Sequence, residues 1–439
     1  MSDSPRPDTD FPGVPEMGRV GELRTDVCVV GAGPAGLALT LMLLRSGVRV
    51  ALLERSTGLR RDFHGEIIQP GGQRVLGDLG VLDAARAHGA CPLRGFQVLQ
   101  DQRLLLDIDY RRLPAPYDCL LALPQRHLLH ELLAGCRELP GFTSLGGYRL
   151  SALLRDGRAV TGVVAQRGNG QTTTVRARVV VGADGRYSRT RMLAGIDAGR
   201  TEAFDQDVVW FALPAGGRAP GHVQVHRTAR GALLVHDTHP DLLRVGWTLP
   251  HRSWNRIAAL GIDPIRRELS EALPQFADLF QEHPPALADL KLLDVFAAQA
   301  GEWVRDGLML VGDSAHTHGP IGAQGINLAL QDAAAAHPVL LDAVRTGDAS
   351  RARLLPYEQR RRPVAAAVHR MQRMQAKALL GRGGPVTTRL RSRAAALVTR
   401  SRLGERITRK VAYGTDPVTV RTDLLGAEPA ALRTTGDRA

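Results

Sequence analysis

Short apolar runs separated by a helical stretch dominate the first part of the chain. Residues 25–30 are mostly apolar, which is typical of a strand buried in a parallel sheet. Residues 34–45 have helical spacing, and residues 48–53 form a second apolar run that ends at Glu54. This order predicts a strand–helix–strand unit. Another apolar run at residues 308–311 predicts a buried strand late in the chain.

The middle of the chain has a different pattern. Short β-type runs with turn residues between them predict a largely antiparallel sheet over residues 207–213, 222–227, 231–236 and 242–249. Strand-forming residues are also frequent in residues 93–109 and 159–181. Helical spacing follows in residues 262–280, 327–344 and 357–380, before an interruption at Gly381–Pro385.

The composition is that of an ordinary globular protein. Apolar residues make up 44% of 439 residues, and this length suffices for two or three packed units. No run of 18 apolar residues occurs, so no transmembrane helix is expected. Residues 1–24 lack the features of a secretory signal, and we interpret them as a disordered leader on a cytoplasmic protein.

The formal charge of +13 limits the classes of binding partner. From residue 361 to residue 410 the basic residues are interrupted by one acid, Glu405. We favour a solvated basic helical face over nucleic-acid binding, with an anionic membrane surface or an acidic partner as the alternative.

None of the four cysteines has C-x-x-C spacing, so neither a zinc site nor a redox dithiol is indicated.

A glycine loop follows the first predicted strand. Gly31 permits a tight turn, Gly33 lets the backbone approach a pyrophosphate, and Gly36 allows close packing of the helix on the strand. The start of the helix, with Ala35, offers free N–H groups to phosphates. Glu54 can accept hydrogen bonds from ribose hydroxyls, and Arg55 follows it. Only one such fingerprint occurs, so a nicotinamide would dock transiently without a fold of its own.

A second motif lies at the end of the late strand. Asp313 follows Gly312, and a carboxylate there can bind the ribityl hydroxyls of a flavin, although a helix-capping or turn aspartate is the alternative. Gly322 and Gly325 leave room for a flat ring, and Pro320 stiffens the approach. The helix that begins near Asn327 would stabilise negative charge on reduced flavin.

Together with Asp184-Gly185, these motifs resemble the p-hydroxybenzoate hydroxylase family, the group A FAD monooxygenases, over residues 25–380. The resemblance implies that Gly31, Gly33, Gly36 and Glu54 hold the ADP half of FAD. It places Asp184 near the pyrophosphate and Asp313 on the ribityl chain. It assigns FAD contacts to a further set: Gln125 with its neighbour Arg126, and Gly325, Ile326 and Asn327 at the isoalloxazine edge.

One position departs from the family pattern. His64 stands where the family normally has an arginine that contacts FAD phosphate and lines the path of flavin motion. Either Arg60 or Arg61 supplies that charge, or His64 makes flavin binding or motion sensitive to pH, since histidine titrates near neutrality.

The resemblance implies an α/β fold: a Rossmann-type FAD-binding domain with an inserted, mostly antiparallel β-sheet substrate domain and a C-terminal helical region. We predict a discontinuous FAD-binding domain over residues 25–100, 150–199 and 296–345. Residues 101–149 and 200–295 would form the substrate domain and connecting segments. Residues 346–412 would form C-terminal helices, and residues 413–439 a loose tail.

The implied activity is monooxygenation. NAD(P)H would reduce FAD, O2 would form a flavin C4a-hydroperoxide, and one oxygen atom would hydroxylate or epoxidise an electron-rich aromatic or polyketide-like substrate. Three alternatives stay open: a reductase or desaturase of the geranylgeranyl-reductase type, a non-catalytic FAD-binding or membrane-associated protein, and a halogenase. The halogenase is least favoured, because Val245 replaces a motif tryptophan and the first lysine is Lys291. The chain would be a monomer or homodimer.

Side chains are expected to contribute little covalent chemistry. Pro320 and His316 are weak candidates for contact with the reacting groups, and His236, His251 and His316 are weak candidates for a general base. His316 and His318 lie close in sequence, but no carboxylate or cysteine cluster joins them there, so no metal site is predicted.

Overall fold

A computed structural model describes residues 10–11, 22–59, 66–201, 206–228, 231–380 and 401–426. His64, Arg60 and Arg61 lie outside the described residues, as do Gly381–Pro385 and most of the predicted leader. Within the described residues, no helix is both long enough and apolar enough to cross a membrane.

The helices and strands alternate through the chain. The helices are α1 (Pro34–Arg45), α2 (Pro70–Asp78), α3 (Leu82–Ala87), α4 (Gln125–Arg137), α5 (Arg189–Leu193), α6 (Trp254–Ala258), α7 (Ile262–Ala272), α8 (Ala277–Glu282), α9 (Gly325–Thr346), α10 (Arg351–Leu380) and α11 (Arg402–Tyr413). The strands are β1 (Glu22–Val30), β2 (Val50–Glu54), β3 (Ile67–Ile68), β4 (Cys91–Leu93), β5 (Gly95–Gln100), β6 (Arg103–Asp109), β7 (Leu120–Ala122), β8 (Phe142–Gly146), β9 (Tyr148–Asp156), β10 (Ala159–Arg167), β11 (Thr172–Gly182), β12 (Arg200–Thr201), β13 (Gln206–Pro214), β14 (Val223–Arg227), β15 (Ala232–Thr238), β16 (Leu242–Pro250), β17 (Lys291–Leu293), β18 (Ala297–Gln299), β19 (Val304–Arg305), β20 (Leu308–Leu310) and β21 (His316–Thr317).

One of the two large sheets is parallel at its centre. Its central strands lie in the order β20–β11–β1–β2–β8, and every neighbouring pair among them is parallel. Residues 27–30 of β1 are fully buried or nearly so, as are all five residues of β2. Helices α1 and α9 pack against each other, and both contact strands of this sheet. The predicted Rossmann-type unit is therefore confirmed.

The second sheet is mostly antiparallel, with strand order β17–β13–β16–β15–β14–β5–β6. One face is covered by α7 and α8, whose Leu269 and Phe280 pack in the same core cluster as Phe211 and Val245. Because side chains alternate along a strand, Val208, Trp210 and Ala212 of β13 lie on the opposite face. Ile321, from the glycine-rich loop before α9, packs against this opposite face with Val208 and Trp210.

Two segments lie in different sheets from those predicted. β5 was assigned to the first domain (25–100), but it pairs in parallel with β14 of the second sheet. β8 was assigned to residues 101–149 of the substrate region, but it pairs with β2 and extends the parallel sheet. Local alternation predicts strands well, whereas these pairings join segments far apart in the chain and leave no local signal.

Both ends of the described chain are better packed than predicted. Phe11, within the predicted leader, is buried, and its N–H donates to the Thr57 carbonyl at 3.3 Å. β1 begins at Glu22 rather than at residue 25. The predicted loose tail is wrong for residues 413–426, because Val418 and Val420 are buried in the main core. Residues 427–439 lie outside the described residues.

Candidate cofactor and active site

The three predicted motifs meet at one edge of the parallel sheet. The Ala183 N–H donates to the Val30 carbonyl at 2.8 Å, and the Val311 N–H donates to the Gly182 carbonyl at 2.9 Å. These bonds join the carboxyl ends of β20, β11 and β1, which are adjacent in the sheet. Ligands of open parallel sheets bind outside the carboxyl ends of the strands.

The glycine loop after β1 is shaped for close approach. Gly31 has a φ of +107°, and a Cβ there would lie 2.5 Å from the Ala183 oxygen. A Cβ on Gly36 would lie 1.9 Å from the Gly31 oxygen, so α1 packs directly on the loop. No side chain caps α1 at Gly33, and Ala35 is buried in its first turn. The first N–H groups of α1 therefore remain available to an anion such as a pyrophosphate.

Glu54 at the end of β2 braces the glycine loop. Its Oε2 accepts a hydrogen bond from the Ala32 N–H at 2.8 Å, and its Oε1 accepts one from the Ser56 N–H at 3.0 Å. The side chain is buried, whereas Arg55 next to it is exposed. Each carboxylate oxygen can accept a second hydrogen bond, so the predicted contact with ribose hydroxyls is compatible with this bracing role.

The Asp184 backbone lies against the glycine loop, but its carboxylate points elsewhere. A Cβ on Gly31 would lie 2.9 Å from the Asp184 Cα. The carboxylate instead caps α5: Oδ1 accepts from Ser188 Oγ at 2.5 Å, and Oδ2 accepts from the Thr190 N–H at 2.8 Å. Gly185 follows with a φ of +82° in open space. Contact between the Asp184 carboxylate and a cofactor stays a prediction, and the geometry shows a helix-capping role.

Asp313 follows β20 and is partly open. Its side chain is 31% exposed, and Oδ2 lies 3.9 Å from Arg186 Nε, a residue that the sequence analysis missed. Arg186 is two residues after Asp184, so it links the second motif to the third. Asp313 is thus positioned beside the strand edge with part of its carboxylate surface accessible.

The loop of residues 319–325 is held in place by three side-chain amides. Gln372 Nε2 donates to the carbonyls of Gly319 and Ile321 at 2.8 and 2.7 Å. Asn327 Oδ1 accepts from the Gln69 N–H, and Asn327 Nδ2 donates to the Ala323 carbonyl, both at 2.7 Å. Gln69 Nε2 donates to the Gly322 carbonyl at 2.9 Å. The loop is therefore rigidly braced, and the Asn327 amide serves the backbone.

The braced loop leaves the start of α9 open. Within the part of the chain that the structure describes, a Cβ on Gly325 would meet no atom within 4 Å, and no side chain caps the helix at Gln324. Pro320 is half-buried, and its carbonyl accepts from the Ala323 N–H at 3.1 Å. Ile326 is buried. A planar ring can therefore lie against the first turn of α9, where free N–H groups stabilise negative charge.

Gln125, the first residue of α4, is buried, and its Oε1 has no hydrogen-bond partner among the described residues. A buried unpaired carbonyl is costly and calls for a ligand atom or water. Arg126 is exposed, and its Nε donates to His127 Nε2 at 3.2 Å. The unpaired Gln125 oxygen, the crowded Gly31 and the open Gly325 together fit an extended dinucleotide such as FAD.

Replacing Gln125 by leucine should have opposite effects on the apoprotein and on cofactor binding. The substitution removes a buried unpaired acceptor, so the melting temperature of the apoprotein should be unchanged or higher. The FAD dissociation constant should rise about tenfold, which equals about 1.4 kcal/mol. Flavin fluorescence titration and thermal melting measure the two quantities. An unchanged FAD dissociation constant, or a lower melting temperature of the apoprotein, would remove Gln125 from the cofactor site.

A buried charged network lies beneath the Asp313 turn. Asp332 Oδ2 accepts from His316 Nε2 at 2.6 Å and from the Gly312 N–H at 3.1 Å. Asp332 Oδ1 accepts from Arg361 Nε at 2.7 Å, and both side chains are at most 1% exposed. Burial alone would raise the pKa of Asp332, but the neighbouring His316 and Arg361 outweigh it and lower that pKa. The network therefore fixes the backbone that presents Asp313.

His316 belongs to this network rather than to an open cavity. Its Nδ1 lies 2.9 Å from His318 Nε2, so both of its ring nitrogens have protein partners. Burial lowers the pKa of His318 well below its ordinary value, which favours the neutral ring. We therefore assign His316 a structural role, and its candidacy as a reacting group finds no support in this geometry.

The Trp210 face of the second sheet contacts the braced loop through Ile321. Trp210, Gly246 and Leu234 are cross-strand neighbours on this face, and a Cβ on Gly246 would lie 2.8 Å from the Trp210 ring. His236 and Arg244 form the next row. Arg244 pairs with Glu66, which also accepts from Thr238 Oγ1 at 3.0 Å. The face is thus apolar at its centre, with polar groups along one side.

Comparison with known proteins agrees with this architecture. The FAD binding domain family matches residues 24–372. The chain is 48% identical over 409 residues to 6-methylpretetramide 4-monooxygenase of Streptomyces rimosus, covering 93% of this chain and 97% of that protein. Among solved structures, PqsL of Pseudomonas aeruginosa superposes with a TM-score of 0.72 at 24% identity, covering 85% of this chain and 99% of that one. Anhydrotetracycline hydroxylase OxyS of Streptomyces rimosus superposes with a TM-score of 0.70 at 25% identity, covering 89% of this chain and 76% of that one.

The chain belongs to the FAD binding domain family, and within it to the group A flavin monooxygenases. It is an FAD-dependent monooxygenase, with NAD(P)H as the reductant typical of that family. The predicted p-hydroxybenzoate hydroxylase-like fold and the predicted cofactor are confirmed. The reductase, halogenase and non-catalytic alternatives are not favoured by these similarities.

Proposed function

We propose that this enzyme hydroxylates an aromatic ring carbon of a linear polycyclic polyketide of the 6-methylpretetramide class. The 48% identity to 6-methylpretetramide 4-monooxygenase, which extends over nearly the whole of both chains, carries the proposal. The apolar centre of the Trp210 face, where the Trp210 ring lies over Gly246, suits a fused-ring substrate.

The chain's own residues would bind and orient this substrate. Trp210 and Leu234 supply an apolar surface, and Ile321 links that surface to the braced loop beside the cofactor site. The buried Glu66–Arg244 pair provides fixed charges along one side, which can orient phenol or amide groups. Bound FAD, once reduced by a nicotinamide, supplies the activation of O2.

The experiment is an oxygenation assay on the purified holoenzyme. It compares 6-methylpretetramide with a single-ring phenol, 4-nitrophenol, in the presence of NADH or NADPH. The proposal predicts that the polycyclic compound stimulates nicotinamide oxidation and gains one oxygen atom by mass spectrometry, while the phenol does neither. Stimulated oxidation that yields only hydrogen peroxide, or equal turnover of the phenol, would contradict the proposed substrate class.

His236 is placed to accept a proton from a substrate hydroxyl. Its Nδ1 lies 2.9 Å from the Asp237 carbonyl, so this nitrogen donates and Nε2 is left as the acceptor. Burial lowers the pKa of His236, although the Asp237 carbonyl and Glu66 act in the opposite direction. The ring is therefore neutral at neutral pH, as an acceptor must be.

Replacing His236 by glutamine should lower kcat for the polyketide about 100-fold, within the usual contribution of general base catalysis. FAD affinity should stay unchanged. In the wild type, kcat should fall only as pH drops through the lowered pKa of His236, which lies below the ordinary histidine value of about 6.5, because the ring becomes protonated there. This acid limb should be absent from the glutamine variant. An identical pH profile for the two proteins would exclude the role of His236.

A further inference from the structure

Imidazole side chains gather on the surface where α3 meets α4. His88 caps the C-terminus of α3, and His130 lies on α4. Their ring centroids are 5.5 Å apart. His127, one turn earlier on α4, lies 5.7 Å from His88, and His239 from the loop after β15 lies 5.9 Å from His127. Histidines from three segments thus share one small patch.

A carboxylate completes the group. Glu131 Oε1 lies 2.7 Å from His88 Nε2 and 3.1 Å from His130 Nδ1. The donor atoms of His88, His130 and Glu131 all lie within 4.8 Å of one another. Glu131 is only 18% exposed, so its oxygen is held between the two rings rather than free in solvent. The two nitrogens and this oxygen already point to a common centre.

These distances and ligand types match a metal site. Ligand atoms bound at about 2.0–2.1 Å in a tetrahedral zinc site lie about 3.3 Å from one another. Two of the three separations here are within reach of that value through small side-chain rotations. Two imidazoles with one carboxylate favour Zn²⁺ and similar transition metals, whereas Mg²⁺ prefers oxygen ligands.

We propose that His88, His130 and Glu131 form a surface binding site for a divalent transition metal of the zinc type, with water in the fourth position. His127 is not a ligand, because its Nδ1 lies 3.1 Å from the Gly89 carbonyl and its Nε2 accepts from Arg126. The bound ion joins the end of α3 to α4. Since α4 begins at Gln125, the metal stabilises the helix that presents this candidate cofactor contact.

The test uses the untagged, full-length holoenzyme and Zn²⁺ added alone, measured by calorimetric titration. The wild type should bind one zinc ion that Mg²⁺ does not displace. Zinc affinity should fall by more than about tenfold in the His88→Ala/His130→Ala double variant and in Glu131→Gln. The matched control is His283→Ala, which removes an exposed histidine elsewhere and should bind zinc as the wild type does.

A second measurement separates a metal site from a folding defect. Zinc should raise the melting temperature of the wild type and of His283→Ala, but not of the double variant. The flavin absorbance of each variant shows whether the fold is retained. Absence of zinc binding to the wild type, or undiminished binding to a double variant that retains flavin, would overturn the proposal.

Discussion

Replacing Gly31 by alanine is expected to produce a protein that does not retain FAD on purification. Gly31 has a φ of +107°, a region that costs an alanine about 1–2 kcal/mol or more. The new Cβ would also lie 2.5 Å from the Ala183 oxygen, so the glycine loop after β1 must move away from the backbone of Ala183 and Asp184. We expect the FAD dissociation constant to rise more than about 100-fold, equal to about 2.7 kcal/mol. Equilibrium dialysis with flavin absorbance measures it.

Gly47→Ala provides the matched control for that experiment. Gly47 also has a positive φ, of +79°, but a Cβ there would meet no atom of the described segments within 4 Å. The substitution should lower the free energy of unfolding by about 1–2 kcal/mol and leave FAD affinity unchanged. If Gly47→Ala lost FAD to the same extent, general backbone strain rather than crowding at the cofactor edge would explain both results.

Replacing Asp332 by asparagine is expected to give the second large effect. The substitution leaves the buried Arg361 guanidinium without its ionic partner, and breaking a buried pair costs about 3–5 kcal/mol. FAD should also bind more weakly, because the Gly312 N–H is anchored by Asp332 and precedes Asp313. Chemical denaturation of the apoprotein and FAD titration measure these two losses.

Arg360, which precedes Arg361 on α10, forms an ion pair of the same length that serves as the control. Arg360 Nε lies 2.7 Å from Asp416 Oδ2, the same distance as in the buried pair, but both side chains are more than 40% exposed. Asp416→Asn should therefore change the free energy of unfolding by less than about 1 kcal/mol. Equal losses in the two variants would contradict the assignment of Asp332 as the brace of the cofactor turn.

The pH dependence follows from the same carboxylate. Asp332 has a lowered pKa in the folded protein, so its stabilising contribution is complete above the unfolded aspartate pKa of about 3.9. It is lost as pH falls through the lower, folded value. The stability difference between the wild type and Asp332→Asn should therefore be largest above about pH 5 and should shrink in stronger acid.

Much of the candidate cofactor site could be located from the sequence because its determinants are local. Gly31, Gly33 and Gly36 meet backbone requirements within six residues, and the flanking apolar runs identify their strands and helix. Asp313 and Gly325 are likewise recognisable from a buried strand followed by a turn and a helix. The strands predicted at residues 25–30 and 308–311 accordingly correspond to β1 (Glu22–Val30) and β20 (Leu308–Leu310).

The supporting residues were not predictable in this way, because their partners are distant in sequence. Arg361 was interpreted as part of a solvated basic face, yet it is buried against Asp332. A single acid within the apolar residues 328–336 was the available signal for this network. Gln69 and Gln372 give no such signal, since an amide that bonds to a loop backbone resembles any polar residue until the loop is in place.

The discontinuous cofactor edge has a consequence during biosynthesis. Residues 31, 184 and 313 come from strands that are adjacent in space but widely separated in the order of translation. The ribosome must have released the polypeptide beyond residue 327 before every segment of the candidate cofactor site is available to fold. Nascent chains shorter than this present an unfinished sheet edge, which is exposed to aggregation. The supply of FAD should therefore influence the stability of completed chains rather than their synthesis.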